Sequence, residues 1–538
     1  MAIFPSLKVK APKQSNFDQT RKVRTTMAPG VLTPLLCEPL VAGDQVKISV
    51  ESLIKTYAAL VPIMGTFKLE TTVWFAPLSL YIPRLKSNSA LTPTNTSRLP
   101  DVNFPYFRLP SSAATSMVDY SHNYVAPDSL LRYLGLPYRF VDKTAPVEES
   151  PGIKTLGRKF NGVPLLMYLD IFRNYYANRQ ESTYPVITDG LNSTWNVLND
   201  LDTEFENIKN GQYLGNLPQI QSHIAPFSRR MGGLLTRCYL PDMKNVILSS
   251  AMANAVANAT SVSTSGGSFT IDQFNLAQKL YKVYTLSQLA GNRFSEWVRA
   301  QYAVQPKTLS DRPTFIGSTS TEIAFEDVVQ TSSGDPNNSE SSTGDLGDLA
   351  GRGRAYMDGK YHRFTADQPG YVMVMASIVP RVDYYQFVHR FLLDTQLSDL
   401  FVNKLNGLGL QDVLVSDLFA SSMLDMKEPS SAWDSSTDPF KVSLGKQPAW
   451  LHLMSAVNEV FGDFCTDELR GWTLSRPMVS GDPSGEPVRD VNPSAYVDPG
   501  LWNYAFTDTN PLAQNFMAQY AIQMYKRSNL SKRLMPNF

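Results

Sequence analysis

The residues of this chain that carry chemistry are few and scattered. Five histidines, His122, His223, His362, His389 and His452, are spread over 538 residues. None has a second histidine three or four positions on, the spacing that puts two imidazoles on one helical face for a metal ion. The three cysteines, Cys37, Cys238 and Cys465, are odd in number and far apart, which argues against a disulfide framework and a CxxC pair. Glu148 with Glu149 and Asp467 with Glu468 are adjacent acids. Neighbours on a strand point to opposite sides, so neither pair reads as an acid and a base facing across a cleft. No GxSxG elbow, GxGxxG fingerprint or phosphate-binding GxxxxGK[ST] loop occurs. The sequence thus predicts no catalytic residue, no metal site and no cofactor; it does not read as an enzyme.

Cations gather at the two ends instead. Residues 1–25 hold Lys8, Lys10, Lys13, Arg21, Lys22 and Arg24 against the single acid Asp18. From Thr509 to Phe538 there is no acid, while Lys526, Arg527, Lys532 and Arg533 are basic. The formal net charge of the whole chain is zero. The expectation is a neutral body whose two ends meet nucleic-acid phosphate; the plainer reading is two solvated ends.

Composition sets the class of protein that must position these groups. A hydrophobic fraction of 43% and a charged fraction of 18% describe a core-forming chain. Charge falls below the ~25% usual for soluble domains, as expected when surface is covered by other subunits. Separated cysteines suit a reducing cytoplasm. No apolar run approaches the ~20 residues of a membrane span, and MAIFPSLKVKAPK lacks the apolar stretch of a secretory signal.

Periodicity then gives the elements. Residues 1–30 read as an extended basic arm, since Pro5, Pro12 and Pro29 prevent regular helix. Strand signals begin at Gly30. Val46, Ile48 and Val50 alternate with Lys47 and Ser49, and Phe67, Leu69, Thr71, Val73 and Phe75 alternate with polar neighbours and Trp74 until Pro77. Period two predicts strands with one buried and one wetter face. Leu165, Tyr168, Leu169, Phe172, Tyr175 and Tyr176 form a helical stripe, predicting an amphipathic helix with Pro164 near its start. A second helical region is expected in 271–302. Tyr371 to Val379 is almost continuously apolar, as in a strand buried on both faces. Residues 83–160, 183–225, 260–267 and 331–351 read as loops. The expected organisation is the arm at 1–30 and one β-domain over 31–538 carrying long insertions.

The order of these segments resembles the major capsid proteins of the microvirus family, especially its gokushovirus branch. The likeness lies in Ser15-Asn16-Phe17-Asp18, in Thr25-Thr26 with Pro29-Gly30-Val31-Leu32-Thr33-Pro34, and in Glu38-Pro39 with Gly43-Asp44. It continues through Val73-Trp74-Phe75-Ala76-Pro77, Pro164 to Asn178, and Arg237-Cys238-Tyr239-Leu240-Pro241. Further on come Arg293-Phe294-Ser295-Glu296 with Arg312-Pro313-Thr314-Phe315-Ile316-Gly317, then Gly370-Tyr371-Val372, and the ending Lys532-Arg533-Leu534-Met535-Pro536. Phe461-Gly462-Asp463-Phe464-Cys465 departs from the family's Phe-Gly-Tyr-Gln-Glu element, which marks a divergent branch.

The resemblance implies a mainly β fold: an eight-stranded antiparallel jelly roll with long loop insertions and a few helices. It implies a shell subunit that makes pentamers and a 60-subunit T=1 capsid around circular single-stranded DNA, assembled in the host bacterial cytoplasm. Its implied partners are further copies of itself, the genome, internal scaffolding and minor or pilot virion proteins, and a host surface receptor. The insertion at 183–225 is the candidate threefold protrusion for host attachment. Two other readings remain at this stage. A phage receptor-binding or spike protein is expected to show a trimeric stalk or repeats. A secreted β-rich carbohydrate-active enzyme needs a signal peptide and an acid pair.

Overall fold

The computed structural model describes residues 14–82, 130–136, 159–176, 294–304, 312–329, 349–385, 387–392, 400–403, 410–414, 443–466, 468–475, 502–509 and 513–531, with a few short segments between them. Ten strands form one antiparallel sheet. They are β1 (Ser15–Asp18), β2 (Arg21–Met27), β3 (Thr33–Leu40), β4 (Gln45–Ala59), β5 (Phe67–Pro77), β6 (Thr314–Val329), β7 (Leu349–Met357), β8 (His362–Thr365), β9 (Gly370–Pro380) and β10 (Phe516–Ser528). Eight follow one hydrogen-bonded path, β1-β10-β4-β7-β6-β5-β9-β3, while β2 also pairs with β10 and β8 with β4.

The sheet folds over on itself because β6 belongs to two layers. Thr314 to Ile323 pair with β5, and Ala324 to Val329 pair with β7. A bulge between Phe315 and Gly317 bends the strand. The His362 ring fills the space that a side chain at position 317 would need, so a larger residue there would have to displace it. The core lies between the two layers. Val46, Ile48, Val50 and Ile54 of β4 and Phe516, Tyr520, Ile522 and Met524 of β10 meet Leu69 and Val73 of β5 and Val372, Val374 and Ile378 of β9. Phe67, Phe506 and Phe516 close one end with ring centroids 5.1 to 6.2 Å apart. Two facing antiparallel layers sharing one apolar interior are the architecture of a jelly roll.

A second apolar layer covers the back of β5 and β9. Helix α1 (Val163–Ile171) runs into a π-turn at Phe172–Tyr176. Leu165, Leu166, Tyr168 and Leu169 pack with Trp74, Ala76, Met373 and Met375. The polar ends of its aromatic partners are satisfied: Tyr81 donates to Asp170 at 3.0 Å and Tyr168 to the Leu32 carbonyl at 2.7 Å.

This layer changes two sequence expectations. The strand over 67–77 alternates only as far as Glu70; from Thr71 onward both faces are buried, because α1 covers the side that carries Trp74. The helix itself is buried all round from Leu165 to Ile171 rather than along one stripe. Strand structure also begins at Ser15, ahead of Gly30, and β10 has no counterpart in the periodicity reading. Within the expected loop 331–351, Leu349, Ala350 and Gly351 belong to β7, and 331–348 lies outside the described residues. Of 183–225 only Tyr184–Val186 paired with Asn196–Leu198 is described; 260–267 and 271–293 lie outside the described residues, and Phe294–Tyr302 forms helix α2. Of 83–160, the described parts include a short strand at Tyr106–Arg108 and a helical turn at Leu130–Tyr133.

One buried ion pair ties β10 to the start of β4. Gly43, at φ 90°, makes the turn that brings Asp44 inward. The Asp44 carboxylate accepts from the Val41 amide at 3.0 Å and from the Lys526 ammonium at 2.8 Å. Lys526 also donates to the Pro39 carbonyl at 3.4 Å. Both side chains are shut away from solvent. Removing one partner strands the other charge in the interior, so Asp44→Ala is expected to lower stability in urea unfolding by about 3–5 kcal/mol. Replacing both, as Asp44→Leu with Lys526→Met, should recover most of that loss. A single variant as stable as the parent protein would show that the pair contributes nothing.

Candidate nucleic-acid interface

Strand alternation leaves β2, β10, β4, β7 and β8 with one face on the core and one on solvent. The solvent face reads across in rows set by the pairing register. Thr26, Met517, Lys55 and Arg354 make one row, and Arg24, Gln519, Leu53 and Tyr356 the next. Lys22, Ala521 and Glu51 follow. Nearer the other end, Asp18, Tyr525, Lys47 and Arg363 share a row, and then Asn16, Arg527, Gln45 and Thr365. This face thus gathers Lys22, Arg24, Lys47, Lys55, Arg354, Arg363 and Arg527 against the carboxylates of Asp18 and Glu51.

The two carboxylates offset only part of the charge of the seven cations. Glu51 accepts a hydrogen bond from Gln523 at 2.7 Å. Asp18 is held below the ordinary carboxylate range by its hydrogen bonds from Thr20, so it stays ionised at the edge of the face. Arg24 donates to Gln519 at 3.0 Å. Among the described residues, no ion pair involves Lys22, Lys55, Arg354, Arg363 or Arg527. Aromatics are interleaved with these cations. The Lys47 ammonium sits 3.7 Å from the centroid of the Tyr361 ring, and the Tyr361 hydroxyl bonds to Gln523. Tyr356 and Tyr525 are exposed on the same side.

Two open grooves lie along this surface. One, of about 890 Å³, is lined by Arg24, Lys55, Arg132, Tyr133, Gln514 and Gln519 among others. The other, of about 720 Å³, is lined by residues including Asp18, Lys47, Arg363, Tyr525 and Arg527. Cations beside flat rings are the chemistry that takes up a phosphate backbone with exposed bases.

The cations expected from sequence divide three ways. Lys22, Arg24 and Arg527 stand on this face. Arg21 and Lys526 have the opposite parity and are engaged in ion pairs, Arg21 with Glu38 of β3 at 2.6 Å near the surface and Lys526 with buried Asp44. Lys8, Lys10, Lys13, Lys532 and Arg533 lie outside the described residues. Lys47, Lys55, Arg354 and Arg363 were missed, because they lie in two stretches far apart along the sequence. Odd-numbered polar positions between apolar even ones placed 47 on a wet face; only the cross-strand register joins them to 354 and 363.

The other chemically capable groups stay apart. Among the described residues no three His, Cys, Asp or Glu side chains come together as a metal site. Half-buried Cys37 has its thiol pushed up to about 12 by burial and by Glu38, far from reactive thiolate character. His362 is bonded to Thr319, and burial, with Lys360 nearby, lowers its proton affinity. His389 pairs with Glu459 at 3.3 Å. No helix among the described residues is long and apolar enough to cross a membrane.

Comparison with known proteins agrees with this β-sandwich. No curated protein matches the chain. The family described as capsid protein (F protein) matches residues 157–483, more than half of the chain. That span holds α1, α2 and β6 to β9, whereas β1 to β5 and β10, which complete the two layers, lie outside it. The chain therefore belongs to the phage capsid F protein family, the structural subunits of microvirus virions, which assemble with copies of themselves into a shell.

Proposed function

We propose that this chain is the repeating subunit of a T=1 icosahedral shell that encloses circular single-stranded DNA, with the cationic face of β2, β10, β4, β7 and β8 turned toward the genome. One observation carries the orientation: seven cations and three tyrosines share one sheet face with two carboxylates. A surface so weighted repels itself across a subunit contact, yet suits a polyanion whose bases are unpaired. The basic ends extend the same lining: Lys8, Lys10 and Lys13 precede β1, and Lys532 and Arg533 follow β10. The insertion at 183–225 then belongs on the outside as the host-attachment protrusion, and scaffolding and pilot proteins complete the particle during assembly in the host cytoplasm.

The test of the lining is binding of the purified chain to a fluorescent single-stranded oligonucleotide over a range of salt. Lys55→Glu with Arg354→Glu should weaken binding and flatten the plot of log K against log salt by ~1.4, at ~0.7 for each lost phosphate contact. Arg381→Gln, whose side chain is engaged by Glu322 at 2.8 Å elsewhere, should leave the slope unchanged. An unchanged slope in the double variant would reject this face as the lining.

For the protrusion, deletion within 183–225 should leave particles intact by electron microscopy while reducing adsorption to host cells. Loss of folding in that deletion, or full adsorption without the segment, would count against the assignment.

A further inference from the structure

The basic face carries one acid that its role toward phosphate does not explain. Asp18 stands on the edge strand β1 beside cations, where a carboxylate weakens the grip on any polyanion. Register fixes its neighbours. Asp18 is opposite Tyr525 of β10, Tyr525 is opposite Lys47 of β4, and Lys47 is opposite Arg363 of β8. Acid, ring, ammonium and guanidinium thus make one row across four strands, and all four line the same groove of about 720 Å³. With about 4.8 Å between strands, the backbone positions of Asp18 and Lys47 are roughly 10 Å apart, with Tyr525 between them.

Asp18 is held in place as an acceptor. One of its oxygens takes the Thr20 amide at 2.9 Å, which fixes the carboxylate in the turn between β1 and β2. The hydrogen bonds from Thr20 keep it below the ordinary carboxylate range, so it is ionised at neutral pH. Among the described residues it makes no ion pair, although Lys47, Arg363 and Arg527 line the same groove. An ionised carboxylate offers about four acceptor positions, so Asp18 keeps capacity for a further donor. Beside it, Tyr525 is 43% exposed and presents a ring on which a base can stack.

A nucleotide laid along this row meets a suitable group at each point. Its phosphate falls to Lys47 and Arg363, its base to the Tyr525 ring, and the edge of that base to Asp18. The edge discriminates between bases. Cytosine offers an exocyclic amino group, a donor that a carboxylate accepts, whereas thymine offers a carbonyl oxygen at the same position, which a carboxylate repels.

We propose that Asp18, Tyr525, Lys47 and Arg363 form a base-selective subsite that takes a nucleotide with an exocyclic amino group in preference to thymidine. This rests on the reading of the basic face as the genome lining. It adds a choice of base, which contacts to phosphate alone do not give.

The experiment measures binding of the purified full chain to fluorescent oligomers of deoxycytidine, of thymidine and of abasic sugar-phosphate, all equal in length. It is run above neutral pH, where cytosine is uncharged. The parent chain should bind the deoxycytidine oligomer about fivefold more tightly than the thymidine oligomer, and the abasic one most weakly. Asp18→Asn provides the sharpest comparison. Its side-chain carbonyl still accepts from the Thr20 amide, which leaves its NH2 as a donor toward the base. The preference should then pass to thymidine. Tyr525→Leu should weaken binding of both base-bearing oligomers while the salt dependence remains. Both positions are exposed, so the fold should persist, checked by circular dichroism.

Equal affinity of the parent chain for deoxycytidine and thymidine oligomers would overturn the subsite without recourse to any variant. So would an Asp18→Asn chain that keeps the deoxycytidine preference, or a Tyr525→Leu chain that binds both oligomers as the parent does. Each of those results leaves salt-dependent binding in place. A parent chain that binds none of the three oligomers at low salt would instead reject the lining, and the subsite with it.

Discussion

The sandwich depends on one strand near its carboxyl end. β10 pairs along its length with β4, from Phe516 opposite Thr56 to Arg527 opposite Gln45, and receives β1 and β2 on its other edge. Its even-numbered residues supply Phe516, Tyr520, Ile522 and Met524 to the core, and its odd-numbered residues supply part of the cationic face. A slip of one residue would exchange those two sets, placing Gln519, Gln523 and Arg527 in the interior. The Asp44–Lys526 pair opposes that slip, because the slip would part a buried ammonium from the carboxylate that pairs with it. Backbone pairing, core and charged surface are therefore a single constraint.

That constraint explains the division of labour between the two sides of the fold. The layer of β5 and β9 is buried on both faces, by the sandwich core and by α1, and so presents little of itself to solvent. The layer containing β4 and β10 keeps one open face, where each polar position between core residues is free to carry charge. The unequal covering of the two layers gives the subunit a distinct charged side. For a shell-forming protein this matters physically: a closed container needs one surface for its contents and others for neighbours, and cations that serve the first would destabilise the second.

The loop-bearing end shows the complementary feature. Among the described residues, the segments leaving β4 and β9 carry exposed apolar side chains such as Met64 and Phe391. A jelly roll tolerates long excursions because its core is complete without them, and the excursions are then available for contacts between copies.

By itself, the sequence determined the strands whose alternation is strong, 46–50 and 67–77, the continuous buried strand ending near Val379, the helix after Pro164 and the lack of catalytic or metal-binding motifs. It also carried, through collinear segments such as Arg312-Pro313 and Gly370-Tyr371, the resemblance that the family match supports. Only the tertiary structure decided which cations share a face. Arg21 and Lys526 look equivalent to Lys22 and Arg527 in a list of basic residues, yet one step in a strand turns each to the opposite face. Lys47, Lys55, Arg354 and Arg363 look unrelated along the chain, yet antiparallel pairing makes them neighbours. Local periodicity reports which face is wet; long-range register alone brings distant wet faces side by side.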